Sequence, residues 1–310
     1  MSRKGNNLTR LSYLFALLFL LSAAQGSAQV RELEFNPKLG SPHSTAVIPF
    51  QMRAGYPFVD ITLGGERYNL LIDMTDYRPL TLSKHMLDIV PHTVLGTERY
   101  GGADDKVYHL TKFAMEEVRF GKMIKRNVQG TEEALDPNFP TPSPRGAIGA
   151  AMFFDDVMTF DFQNQNIKIE TNTAMPNCES LASLGIPLVT LARYRSKTLT
   201  FFLDIAYQYS VIDSGLVQME QRQGSETRAM PSVFTIEQLE FDNFTLENLH
   251  FVPLPMADSG IQGVLGMDVF RRYNLAIDFP NNCYQLPLAK QKKSKGLTLD
   301  SDIPRSILRR

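Results

Sequence analysis

The sequence predicts an all-β fold of two similar lobes with a cleft between them, and three observations carry that prediction. The stretch from Gly263 to Leu286 (GVLGMDVFRRYNLAIDFPNNCYQL) repeats the stretch from Gly146 to Ile169 (GAIGAAMFFDDVMTFDFQNQNIKI) without a gap. Gly146/Gly263, Gly149/Gly266, Phe153/Phe270, Asp161/Asp278, Phe162/Phe279 and Asn164/Asn281 are identical, where average composition would give about one or two matches. Upstream, Phe113–Val128 aligns with Phe234–Leu249, with Phe113/Phe234, Glu116/Glu237, Phe120/Phe241 and Asn127/Asn248 identical. Further back, YPFVDITLGGERYNLLID ends at Asp73 and IPLVTLARYRSKTLTFFLD ends at Asp204, each a pair of β-rich runs leading into an Asp. So long a period is not that of a solenoid; it fits an internal duplication into two lobes related by an approximate two-fold axis.

Taken in order, residues 1–28 read as a signal peptide. Arg3, Lys4 and Arg10 precede the apolar run LSYLFALLFLLSAA, and Gly26-Ser27-Ala28 supplies small residues before a cut. The run is shorter than the ~20 residues of a spanning helix, which argues against an uncleaved anchor. Its removal takes away three cations and no anions, moving the formal charge from −1 to −4. The expectation is an exported protein, periplasmic or secreted, with no membrane span after cleavage. The first lobe, 29–174, opens with the strand AVIPFQM. A short apolar run, Leu80-Thr81, follows Asp73, and the alternating strands of 113–128 join at Gly121-Lys122, which is hairpin chemistry. The copy at Gly146–Ile169 reads as an apolar run into a Gly pair, a short helical turn, an alternating strand, a turn and a second strand. The linker TNTAMPNCESLASLGIP is rich in turn formers. The second lobe, 175–288, repeats the plan, with Val211-Ile212 after Asp204 and a turn at Asp242-Asn243. Residues 289–310 form a basic polar tail whose Lys290, Lys292, Lys293 and Lys295 read as a solvated end or as a contact for an anionic surface.

The composition narrows the chemistry. With 43% hydrophobic and 21% charged residues in 310, the balance is that of a globular protein with material for a core, and nothing asks for nucleic acid. His43, His85, His92, His109 and His250 fall at no metal-ligand spacing and have no cysteine pair beside them, so no metal is expected. No phosphate-binding Gly-rich loop and no G-x-S-x-G elbow appears, and no cofactor is implied. In an oxidising compartment the two cysteines, Cys178 in the linker and Cys283 in the last strand turn, are candidates for a disulfide; the sequence leaves the pairing open.

An Asp at the end of an apolar β-run, once per lobe, is the informative constellation. A two-fold axis would bring Asp73 and Asp204 together, and two carboxylates a few ångströms apart share one proton. One then serves as base toward a water while the other, protonated, polarises a carbonyl.

These residues resemble those of the retropepsin-like aspartic proteases, and more so of their two-lobed single-chain relatives, over roughly residues 45–288. In that family each lobe carries apolar-apolar-Asp-Thr-Gly, a short strand, a flap hairpin, and an apolar-Gly segment crossing under the Asp loop. Leu71-Ile72-Asp73 and Phe202-Leu203-Asp204 match the first part, and Ala147-Ile148-Gly149 and Val264-Leu265-Gly266 the last. The resemblance implies two β-barrel lobes, a catalytic pair Asp73 and Asp204, support under the loops from Gly149 and Gly266, and a peptide or protein partner. It also implies a flap, for which 96–109 and 219–231 are the candidates, with Tyr100 or Tyr108 closing over a substrate. The sequence departs from the family after each Asp. Met74-Thr75 and Ile205-Ala206 stand where the family has Thr-Gly. Neither Met74 nor Ile205 can donate the hydrogen bond by which the family's Thr locks the two loops, and Thr75 fits poorly if its position requires a positive φ.

Asp213-Ser214-Gly215 is a rival for the second site. Spacing places it too near Phe234 to leave room for a strand and a flap, and the repeat aligns Asp213 with Leu82, so it reads as a turn. Two functions stand: an exported aspartic endopeptidase with an acidic pH optimum, or a non-catalytic descendant binding an extended peptide or a partner's strand in the cleft. A glycosidase using two carboxylates has no support beyond the carboxylates themselves.

Overall fold

The computed structural model describes residues 45–101, 107–133, 145–182, 188–222, 230–256 and 260–289. The predicted signal peptide, residues 29–44 and the tail from 290 onward lie outside the described residues. The first half forms β1 (Thr45–Arg53), β2 (Tyr56–Leu63), β3 (Glu66–Asp73), β4 (Leu80–Leu82), β5 (Thr93–Gly101), β6 (Val107–Phe120), β7 (Met123–Glu132), β8 (Gly146–Gly149), β9 (Asp156–Asp161) and β10 (Asn166–Thr171). The second forms β11 (Glu179–Ser180), β12 (Val189–Tyr194), β13 (Lys197–Leu203), β14 (Val211–Asp213), β15 (Phe234–Glu240), β16 (Thr245–Leu254), β17 (Gly263–Leu265), β18 (Leu275–Asp278) and β19 (Cys283–Gln285).

Strands β2-β3-β8-β4-β7-β6 close into one six-stranded barrel through the β2–β6 pairing, and β12-β13-β17-β14-β16-β15 close into a second. The orders match strand for strand, so the duplication in the sequence is a duplication of architecture. The remaining strands form a shared sheet, β11-β19-β18-β9-β10-β1, that joins the lobes. Its central antiparallel pair is β9 with β18, in which Thr159 faces Ala276. These two are equivalent under the offset that relates Gly146 to Gly263, so the pseudo-two-fold axis runs between them. One face of this sheet is apolar; Met158, Phe160, Leu275, Ile277 and Tyr284 are fully buried and belong to a hydrophobic core continuous through both lobes.

The identities within the repeat are explained by local structure. Asp161 accepts from the backbone and side-chain nitrogens of Asn164 at 2.9 and 2.7 Å, and Asp278 does the same for Asn281 at 3.0 and 2.9 Å. Asn127 and Asn248 both adopt left-handed backbones, φ 53° and 52°, which Asn tolerates better than most residues. Phe153 and Phe270 are core residues. The repeated stretch therefore reports on the scaffold.

The lobes differ around it. Strand β1 pairs with β10 over five residue pairs, whereas its counterpart β11 pairs with β19 over two. Beside that shorter ladder, Cys178 and Cys283 form a disulfide. After β4 the chain makes a short helix, Lys84–Leu87, with Ser83 accepting from the Met86 N–H at its start, and then the long β5–β6 hairpin. After β14 it makes the longer helix Ser214–Arg222. Among the described residues, no helix is long and apolar enough to cross a membrane.

Candidate active site

In each lobe the strand carrying the Asp runs parallel to the strand of the Gly segment: β3 beside β8, with Asp73 opposite Gly149, and β13 beside β17, with Leu203 opposite Leu265. The crossing is close enough to exclude side chains. A Cβ on Gly149 would lie 2.1 Å from the Arg78 carbonyl oxygen and 2.4 Å from that of Asp76. One on Gly266 would lie 2.7 Å from the Tyr209 carbonyl carbon and 2.8 Å from the Tyr207 oxygen. Beneath the loops, the Ala150 N–H donates to Asp76 O and the Met267 N–H to Tyr207 O, both at 2.7 Å. Both Asp residues thus stand on loops whose backbone is pinned from below.

The loops turn alike. The Asp76 N–H donates to Asp73 O at 3.2 Å, and the Tyr207 N–H to Asp204 O at 3.3 Å. Asp73 Oδ1 accepts the Thr75 N–H at 3.0 Å and the Thr75 hydroxyl at 2.5 Å; Asp204 Oδ1 accepts the Ala206 N–H at 2.7 Å. Neither Thr75 nor Ala206 has a positive φ. The strain anticipated for Thr75 is therefore absent, and its hydroxyl adds a donor that glycine could not supply. Met74 and Ile205 are fully buried in the continuous core. Where the family pattern has a hydroxyl, this chain anchors each loop through apolar contact.

The two carboxyl groups sense each other. Burial, and next the charge of Asp73, push Asp204 up to about 7, against the N–H donors of Ala206 and Tyr207. Asp73 is also raised, by burial and then by the charge of Asp76, with the Thr75 hydroxyl and N–H and the Asp76 N–H opposing. Asp73 Oδ1 accepts two donors from Thr75 where Asp204 Oδ1 accepts one from Ala206, so the two carboxyl groups are held by different sets of hydrogen bonds. Tyr56, at the start of β2, faces the same site: burial and then the charge of Asp204 raise its phenol. The β1–β2 turn beside it touches the second loop directly, with Gln208 Nε2 donating to Ala54 O at 2.8 Å.

Asp213 lies elsewhere. It ends β14, directly before the helix Ser214–Arg222, and accepts the Met256 N–H at 3.2 Å. The strand pairings equate Thr81, opposite Thr131, with Val211, opposite Val252. Asp213 then corresponds to Ser83, one residue beyond the Leu82 to which the sequence aligned it, and Ser214-Gly215 opens a helix where a turn was predicted. Tyr100 and Tyr108 are backbone register partners in the β5–β6 hairpin, whose tip, 102–106, lies outside the described residues. Of the second flap candidate, residues 219–222 are helical and 223–229 lie outside the described residues. Sequence reasoning passed over Asp76, Arg78 and Tyr56. An Asp three residues after Asp73 with an Arg two further on was a legible signal for the first two; Tyr56 has none, because only folding brings β2 to the second loop.

Comparison with solved structures gives the crystal structure of the aspartic proteinase from Irpex lacteus, with a TM-score of 0.54 and 12% sequence identity over 79% of this chain and 98% of that one. The fold is that of the aspartic proteinases. At that identity the likeness speaks for architecture alone. No family model matches the sequence, and no curated protein matches it.

Proposed function

We propose that this chain is an aspartic-type endopeptidase, exported, in which Asp73 and Asp204 activate a water against a peptide bond held in the cleft between the lobes. The observation that carries the reading is the pair of matching loops, one from each lobe, that present a buried Asp73 and a partly buried Asp204, with the charge of Asp73 acting on Asp204. With one proton between them, Asp73 accepts the proton of the water and Asp204 donates a hydrogen bond to the scissile carbonyl as its oxygen gains charge. The amide nitrogen then takes a proton as the C–N bond breaks. Burial moves the singly protonated state upward, so the working range reaches toward neutral pH, above the acidic optimum that the resemblance implied. The hairpin bearing Tyr100 and Tyr108 is the element suited to cover an extended substrate.

The test is cleavage of a mixed peptide library by the purified protein between about pH 4 and about pH 8. Asp73→Asn and Asp204→Asn should each reduce the rate by about a thousandfold or more. Cleavage that survives both substitutions would rule out the pair.

A second reading, peptide binding without cleavage, draws support from one feature: neither Met74 nor Ile205 offers a hydrogen bond between the loops. It predicts that extended peptides bind, that none is cut, and that Asp73→Asn binds as well as the parent.

A further inference from the structure

The sheet that joins the lobes has two faces, and the core takes only one of them. On the outer face the registers set Thr45 beside Glu170, Glu170 beside Val157 and Val157 beside Asp278. The next row runs from Lys168 through Thr159 and Ala276 to Gln285. Residues paired across strands share a face, so both rows point away from the core. A groove of about 250 Å³ lies over them, with Val157, Ala276 and Pro287 on one side and Ala174, Met175 and Pro176 of the linker on the other; Thr159 and Glu170 complete its lining.

The two halves of this face are covered unequally. Before β11 the linker lies over β18 and β19. The Met175 N–H donates to Asp278 Oδ2 at 2.8 Å, and Gln285 Nε2 donates to the Pro176 carbonyl and, at 3.3 Å, to that of Asn177. Ala276 and Asp278 are buried there, whereas their equivalents Thr159 and Asp161 are half-buried and Val47 on β1 is 63% exposed. Glu179 pairs with Tyr284 as Ile48 pairs with Ile167. Tyr284 and Ile167 are equivalent within the repeat, so β11 enters the sheet where β1 does. Thr173–Pro176 of the linker then corresponds to positions 42–45. In the duplicated plan, the stretch leading into β1 stands where the linker crosses the face.

We propose that residues 29–44 lie across the outer face of the shared sheet and fill this groove, as the linker covers β18 and β19. Thr45 pairs with Glu170 of the groove lining, so the segment enters at its rim. From β10 to β19 the groove crosses three strand spacings, ~14 Å. The sixteen residues 29–44 reach up to ~50 Å when extended. Within them, VRELEF offers Val30, Leu33 and Phe35 to the apolar lining, and Arg31 and Lys38 balance Glu32 and Glu34. The tail beyond Ala289 suits the groove less. It opens with Lys290, Lys292, Lys293 and Lys295, and Glu170, the acid in the lining, is already paired with Lys168 at 2.8 Å. Ammonium groups set against an apolar lining without a partner are costly.

The first test is photocrosslinking in the purified protein, with Phe35 replaced by p-benzoylphenylalanine and the products mapped by mass spectrometry. The adducts should fall within the same chain, on Met175 and its neighbours in the groove lining. Adducts confined to another part of the chain or to a second copy, or no adduct at all, overturn the proposal. So does the same probe at Leu297 reaching the groove, which would make the tail the occupant. The second test is limited trypsin digestion after Lys38. Thr159→Arg puts a long side chain into the groove from the face away from the core and should speed that cleavage about tenfold or more by releasing the segment. Equal rates in parent and variant overturn the proposal. Should Thr159→Arg unfold the protein, the crosslink, made in a chain whose groove is unaltered, decides alone. Neither test needs peptide cleavage by the protein itself, so both stand apart from the reading of Asp73 and Asp204.

Discussion

The two Asp loops are built on one backbone and furnished differently, and the contrast separates what the fold demands from what the site has been given. Both are crossed by a glycine, both are pinned through the carbonyl three residues after the Asp, and both bury an apolar residue next to it. Beyond that they diverge. The first has the Thr75 hydroxyl and the Asp76–Arg78 pair. The second has Ala206, Tyr207, and a Ser210 that donates through its hydroxyl and N–H to Asp268 while accepting the Gly266 N–H. Backbone approach fixes glycine and the apolar anchors; polar side chains are free to differ and give the two carboxyl groups different hydrogen-bond donors.

Breaking the comparison should show which asymmetries matter. The largest effect is expected at the disulfide, which reinforces the short β11–β19 ladder of the second half. Replacing Cys178 and Cys283 by Ser reopens a 105-residue separation and should cost about 4–5 kcal/mol in denaturant unfolding by chain entropy. Next come the crossing glycines. Gly149→Ala drives a methyl into two backbone carbonyls at 2.1 and 2.4 Å and should cost about 3 kcal/mol or more; Gly266→Ala, with contacts no closer than 2.7 Å, should cost less, about 1–3 kcal/mol. Equal costs would contradict the difference in fit.

The third effect is pH-dependent. Asp204 titrates at about 7 in the folded protein and near 3.9 when unfolded, so the unfolded state loses its proton first. The resulting penalty on folding is absent below about pH 4, grows as pH rises, and is complete above about pH 7. Asp204→Asn should therefore stabilise the protein near pH 8, by on the order of 2–4 kcal/mol, and have little effect near pH 4, as read from unfolding at the two pH values. The smallest effect concerns the loop anchors. Met74→Thr or Ile205→Thr alone buries a hydroxyl without an assured partner and should cost about 1–3 kcal/mol. The double variant should cost less than the two together if the hydroxyls find partners across the axis, a coupling that a double-mutant cycle reads directly.

The sequence made the scaffold legible because glycine, Asp and Asn were repeated where sterics and turns leave little choice. Gly149 and Gly266 cannot carry a side chain, Asp161 and Asp278 lock the same turn, and Asn127 and Asn248 occupy the same left-handed position. The symmetry put Asp73 and Asp204 at equivalent places, each beside the glycine segment of its own lobe. What escaped was set by pairings that cross between distant strands. The placement of Tyr56 over the second loop depends on the β1–β2 turn reaching Gln208. The one-residue offset of Asp213 depends on how β14 registers against β16. Thr75 was misjudged for a physical reason: the loop admits it at negative φ, where β-branching costs nothing and the hydroxyl reaches Asp73.

The account turns on two carboxyl groups behaving as one titrating unit. The most direct measurement is the ionisation of Asp204 in the parent protein and in Asp73→Asn, followed by carboxyl-¹³C NMR. The account predicts a value of about 7 in the parent and a clear downward shift once the neighbouring charge is gone. An Asp204 that titrates near 4 in both proteins would show two independent acids and contradict it.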